Sequence, residues 1–162
     1  MIREISGETL IRKMDLRRKK AHCPECGTVG RIHSIKQRRL REAGSRPTVI
    51  EITHNEYECH NPGCGGRNPD RKHNCFSLPL DIFALPSSRY TNRAREIAEG
   101  LVLKKGYTLE TASQEMQEKY HVHIPPTTIS DWTKEKRGKD SELESDRAVG
   151  HGTYDPESLE YI

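Results

Sequence analysis

A chain of 162 residues that is 32% hydrophobic and 31% charged cannot fill one large core, so two or three small cores are expected, one of them held by metal. The formal charge of +3 conceals a split, with twelve Lys/Arg against four Asp/Glu in residues 1–41 and two against seven in residues 138–162. No stretch reaches membrane-spanning length and residues 1–5 lack an apolar run. Neither a membrane partner nor a secretory leader is therefore expected, and the five cysteines read as reduced thiols of a cytoplasmic protein.

Residues 1–20 read as a basic N-terminal arm. A short helix over residues 8–20 is expected, covered by Arg12, Lys13, Arg17, Arg18, Lys19 and Lys20. Such an arm lies along phosphates and orders there; an unstructured solubilising leader is the plain alternative.

Residues 21–86 read as a metal-held module and its connector. Cys23-Pro24-Glu25-Cys26-Gly27 has the C-x₂-C spacing at which two thiolates turn toward one ion, and Cys59-His60-Asn61-Pro62-Gly63-Cys64 supplies a second pair around a short turn. Cys23, Cys26, Cys59 and Cys64 would close the shell of a structural zinc ion, leaving no position for substrate or water. Cys75, His60 and His73 compete for the fourth place. Cys64 is preferred because Cys75 follows the loose segment 65–74; Cys75 is expected to pack as a small buried residue beside Phe76. Between the pairs, residues 31–41 predict a strand with Arg31, Lys36, Arg38, Arg39 and Arg41 spread over both faces. Residues 42–47 predict a turn, and the β-branched residues 48–57 a returning strand. Knuckle, strand, turn, strand and knuckle make a zinc-ribbon β-hairpin. Residues 76–86 are the most apolar stretch, and Pro79 and Pro86 restrict them to a short strand and an extended connector.

Residues 87–137 change to a helical period. Thr91 or Asn92 caps a first helix with the stripe Ala94, Ile97, Ala98, Leu101 and Val102, ending at Gly106. Thr108 starts a second, carrying Leu109, Ala112, Met116 and Tyr120. Residues 121–124 turn, and Pro125-Pro126-Thr127-Thr128 opens a third helix to about Arg137, with Ile129 and Trp132 inward. Three such helices predict a helix-turn-helix unit, with a plain three-helix bundle as the alternative. Thr127, Thr128, Ser130, Asp131, Thr133 and Lys134 are expected outward, within reach of phosphates and base edges. Residues 138–162 read as an acidic, disordered tail. The fold class expected is α+β, built of small modules.

Taken in order, Cys23–Gly27, the basic strand, the knuckle Tyr57–Cys64 and the Thr-Thr-Ile-Ser-x-Trp of residues 127–132 resemble the N-terminal region of prokaryotic insertion-sequence transposases of the DDE type. The resemblance covers about residues 20–137. It implies a ribbon and a helix-turn-helix that recognise the element's terminal inverted repeats, followed by a ribonuclease-H-like domain whose acidic triad and two metal ions cut and join strands. Residues 138–162 are too short for that catalytic fold, and no nucleophile–base arrangement or phosphate loop is present, so no catalysis is expected. The expected function is sequence-specific binding of double-stranded DNA in the prokaryotic nucleoid. Arg17, Arg18, Lys19, Lys20, Lys36, Arg38, Arg39 and Arg41 would lie on phosphates, and Thr127, Thr128, Ser130 and Lys134 at base edges. A split transposase with its catalytic domain in another chain, an RNA- or protein-binding ribbon module, and a homo-oligomer on DNA stay open.

Overall fold

The computed structural model describes residues 2–6 and 8–149. It is a small α+β protein in which a mixed sheet of six strands precedes three helices. The strands are β1 (Ile2–Ser6), β2 (Thr9–Asp15), β3 (Ala21–His22), β4 (Val29–Glu42), β5 (Thr48–Glu58) and β6 (Cys75–Ser77). The helices are α1 (Asn92–Leu103), α2 (Leu109–Tyr120) and α3 (Pro126–Val149). The strand order is β1-β2-β5-β4-β3, with β6 on β5 as well.

β4 and β5 form the long antiparallel hairpin expected from the cationic strand 31–41 and the β-branched run 48–57, joined through the turn at residues 43–47. β5 is the centre of the sheet. One edge pairs with β4; the other pairs with β2 in parallel up to Thr53 and with β6 from Glu56 to Glu58. Its buried residues are Thr48, Ile50 and Ile52, then Asn55 and Tyr57, so the two-residue alternation slips by one after Ile52. Because successive side chains point to opposite faces, the two ends of β5 bury opposite sides. At one end Ile50 and Ile52 pack with Leu40 and Ala84, against Met14, Leu16, Leu80 and Phe83. At the other, Tyr57 stacks on Phe76 with ring centroids 5.5 Å apart.

The helix expected over residues 8–20 is instead strand β2 and an extended segment. β2 lies in register with β5, Leu10 opposite Thr48 and Asp15 opposite Thr53. The segment after it is fastened to β5 as well: Leu16 N donates to Thr53 O at 2.8 Å, and the Arg18 carbonyl accepts from Asn55 Nδ2 at 3.0 Å and Tyr57 Oη at 2.6 Å. Leu16 and Arg18 are thus fixed along the sheet through their backbone, while the Arg17, Arg18, Lys19 and Lys20 side chains stay exposed.

The helices follow the hydrophobic period. Ala94, Ala98, Leu101, Ala112, Met116, Ile124, Ile129 and Trp132 share one core. Thr91 and Thr108 are the N-caps of α1 and α2, accepting from Ala94 N and Thr111 N, each at 3.2 Å. α3 runs to Val149, well past the expected end at Arg137; Gly138 does not interrupt it. The first half of the expected disordered tail is therefore helix, and residues 150–162 lie outside the described residues.

The sheet meets the helices at the end of β4. The buried Glu42 Oε1 accepts from Thr91 Oγ1 and from Ala43 N, both at 2.8 Å, while Arg93 donates to Ala43 O at 2.8 Å. Thr91 thus caps α1 and supplies half of Glu42's hydrogen bonds at once. Thr91→Ala is expected to cost about 2 kcal/mol, the upper end for a lost cap, because it also leaves a buried carboxylate short of a donor. Urea denaturation reads this loss, and Thr91→Ser should restore most of it.

Candidate metal centre and cationic surface

The two cysteine pairs sit on turns that the sheet brings together. Cys23 and Cys26 occupy the turn between β3 and β4, where Gly27 takes φ +76° and its N donates to Cys23 O at 2.8 Å. That left-handed backbone is what the glycine supplies. Cys59 follows β5 directly, and its amide donates to Asn74 O at 2.8 Å. The second turn closes with Cys64 N on Asn61 O at 3.2 Å and Gly63 N on Asn61 Oδ1 at 3.0 Å.

The four sulfurs lie within 4.8 Å of one another, with Cys23 Sγ 3.7 Å from Cys64 Sγ and Cys26 Sγ 3.6 Å from Cys59 Sγ. These separations are too long for disulfides, and all five cysteines are free. They approach the edge of a tetrahedron of sulfurs about 2.3 Å from a central ion, roughly 3.8 Å. Cys23, Cys59 and Cys64 are buried, and Cys26 is half-buried. Cys75 stands apart from this group, half-buried beside Phe76.

The protonation of the cluster is uneven. The Thr28 hydroxyl, 3.3 Å from Cys26 Sγ, and the Asn61 side chain favour the Cys26 thiolate and lower its pKa to about 6. At Cys59 the Asn61 amide favours the thiolate, but burial and the three neighbouring thiols outweigh it and push the pKa up to about 12. Sulfurs this close repel one another as anions, so a cation is what allows all four to ionise. Cys23, Cys26, Cys59 and Cys64 can therefore hold a metal ion with structural rather than catalytic coordination.

Phe76 lids the cluster, and Gly30 makes room for it. A Cβ at residue 30 would fall 2.7 Å from two ring carbons of Phe76 and 3.1 Å from Tyr57 Cβ. Gly30→Ala is expected to displace the ring and cost about 1–3 kcal/mol, measured by denaturation of the metal-loaded protein.

The cations read from the sequence are distributed differently from one another. Arg17, Arg18, Lys19 and Lys20 are exposed, with Arg17 folded onto Asp15 at 2.6 Å. Lys36 and Arg39 are exposed beside Glu56 (3.8 Å) and Glu51 (3.2 Å), exposed-edge pairs that hold little energy. Arg38 is not available as a surface cation: it faces the covered side of β4, where its guanidinium donates to Leu85 O and to Ser88 O. Arg39 and Arg41, on the opposite side, line an open groove of about 550 Å³ with Thr9, Ile11, Val49 and Arg89. No acid lines it. On α3, Thr127 and Lys134 are exposed and Thr128 and Ser130 half-exposed, whereas Thr133 is buried and donates to Ser130 O at 2.9 Å.

Arg89 is the cation that the sequence did not single out. It sits in the connection before α1, with no neighbouring charge run to mark it, and becomes part of the surface because its carbonyl accepts from Arg41 N at 2.8 Å. It borders the β4 groove and also a second groove reached by Thr128, Trp132 and Arg95. No helix among the described residues is long and apolar enough to cross a membrane. Comparison with protein-family models, curated proteins and solved structures finds no match.

Proposed function

We propose that this chain binds double-stranded DNA through one continuous surface, and that a structural zinc ion in the four-cysteine cluster shapes the strand end of it as a zinc ribbon. The observation that carries the reading is the position of Arg89, shared by the groove of Arg39 and Arg41 and by the groove along Thr128 of α3. Strand cations and the polar start of a helix therefore adjoin instead of occupying separate faces. In this reading Arg39, Arg41 and Arg89 contact phosphates, while Thr127, Thr128, Ser130 and Lys134 reach base edges from a helix-turn-helix. Arg17, Arg18, Lys19 and Lys20 add long-range attraction. Zinc is the ion favoured by four thiolates at tetrahedral spacing. A closed sulfur shell supports a binding role and no chemistry at the metal, in keeping with a transposase-like end-recognition module or a regulator built from the same parts.

Gel shifts with a random-sequence duplex across a salt series test this. The logarithm of affinity should fall linearly with the logarithm of salt, with a slope of about 0.9 per phosphate neutralised. Reversing Arg39, Arg41 and Arg89 to Glu together should abolish binding at moderate salt, whereas Arg38→Gln should act through stability alone. Thr128→Ala should weaken discrimination among selected duplexes while leaving the salt slope unchanged. No binding at low salt, or an affinity indifferent to salt, sinks the proposal.

A further inference from the structure

Next to the cysteine cluster, a second set of metal-ligating side chains gathers around Glu58. His73 Nδ1 lies 2.9 Å from Glu58 Oε1, His33 Nδ1 3.4 Å from Oε2, and His60 Nε2 3.9 Å from Oε2. Ligand atoms of His33, Glu58 and His73 all fall within 4.8 Å of one another, and the His33 and His73 ring centroids are 4.8 Å apart. Among the described residues every ion-pair partner of Glu58 is an imidazole, although Arg31 stands opposite it in the β4–β5 register. The neighbouring Glu56 differs: Ser34 Oγ donates to it at 3.0 Å and Lys36 Nζ lies 3.8 Å away.

The backbone builds this convergence. The β4–β5 register jumps from Ile32 opposite Tyr57 to Ser34 opposite Glu56, so His33 is the extra residue of a bulge, a device that re-aims a side chain. His73 is brought in by the pairing of Cys75 with Glu58 and by the Cys59 N to Asn74 O hydrogen bond. His33 and His73 are exposed and Glu58 is half-buried, so solvent reaches the set, unlike the buried sulfurs.

We propose that His33, Glu58 and His73, with His60 as the nearest further donor, form a second and exchangeable site for a divalent transition ion. Two imidazoles and a carboxylate suit Zn²⁺, Co²⁺ or Ni²⁺, and three protein ligands leave a coordination position open. Occupancy ties segment 65–74 to β4 and β5. That segment carries Arg67, Arg71 and Lys72, so the ion would fix three cations that are otherwise held only by a loop. The assignment does not depend on DNA binding and can fail or hold separately from it.

The test is Co²⁺ titration of untagged full-length protein whose cysteine cluster is already filled with Zn²⁺. Wild type should take up one further Co²⁺ reversibly, with weak visible absorption and no thiolate-to-metal charge-transfer band. His33→Ala and His73→Ala, both at exposed positions, should each weaken that uptake by more than the about 10–100-fold that loss of an outer partner produces, while keeping one Zn²⁺ per chain. Retention of that Zn²⁺ shows that the variants have folded. Uptake of no further ion by wild type, or unchanged uptake in both variants, overturns the proposal. So does a charge-transfer band abolished by Cys75→Ser, which would place the ion on His33, Glu56 and Cys75 instead.

Discussion

Cys64→Ser is expected to release the thiolate-bound metal and unfold the β3–β6 end of the sheet, while Cys75→Ser retains both. Among the described residues, the cluster of Cys23, Cys59 and Cys64 has only Cys26 and Phe76 as partly buried apolar neighbours. So little apolar area cannot hold two turns together, and the ion takes the place of a core. Apparent binding free energies of structural zinc are about 10–16 kcal/mol, and folding of such a module is drawn from them. A serine hydroxyl at 64 removes one of four anionic ligands from a buried shell, whereas the Cys75 sulfur lies outside it. Metal analysis after dialysis, together with thermal unfolding, reads the result. Metal lost from Cys75→Ser and kept in Cys64→Ser would reverse the ligand assignment.

Trp132→Ala is expected to cost about 3–5 kcal/mol, a large part of the roughly 5–15 kcal/mol that holds a domain together. The indole is 8% exposed and lies in the helical core, meeting the Tyr90 ring edge-on at 5.5 Å. The Arg95 guanidinium sits 5.5 Å above it and bonds Glu99 at 2.6 Å and Glu135 at 2.9 Å. Truncation would therefore open a cavity and loosen the link between α1 and α3. The midpoint of urea unfolding followed by circular dichroism measures this, and a loss below about 1 kcal/mol would mean that the core closes around the gap. Trp132→Phe should recover more than half, since it keeps the edge-on contact with Tyr90.

The sequence was most legible where neighbours along the chain decide the structure. The C-x₂-C turn, the β-branched run 48–57 and the capped helical stripes of α1 and α2 are local signals, and each leads to its element. The apolar positions of Thr9–Asp15 fit neither period cleanly, and the segment becomes strand β2 instead of helix through parallel pairing with residues far along the chain. Arg38 looked like its neighbours Arg39 and Arg41; only the return of residues 85–88 beneath β4 separates it from them. His33 could not be foreseen as a possible ligand, since a bulge one residue long leaves no mark in the periodicity. α3 outruns its expected end near Arg137 because the basic residues Lys134, Lys136 and Arg137 are good helix formers as well as a C-terminal signal, and the helix continues through Gly138 to Val149.

Because β5 turns opposite faces to its two ends, the protein should come apart in sections rather than all at once. Thr48 to Thr53 are clasped between β2 and β4 over an apolar core, and opening there requires that core to separate. Beyond Thr53, β2 pairing ends, and β4 on one edge, with β6, the Arg18 carbonyl and the cysteine turns on the other, holds what remains. Loss of the ion would fray β5 from Cys59 back toward His54 and halt where parallel pairing begins. The strand thus carries its own firebreak, confining damage at the metal end to that end.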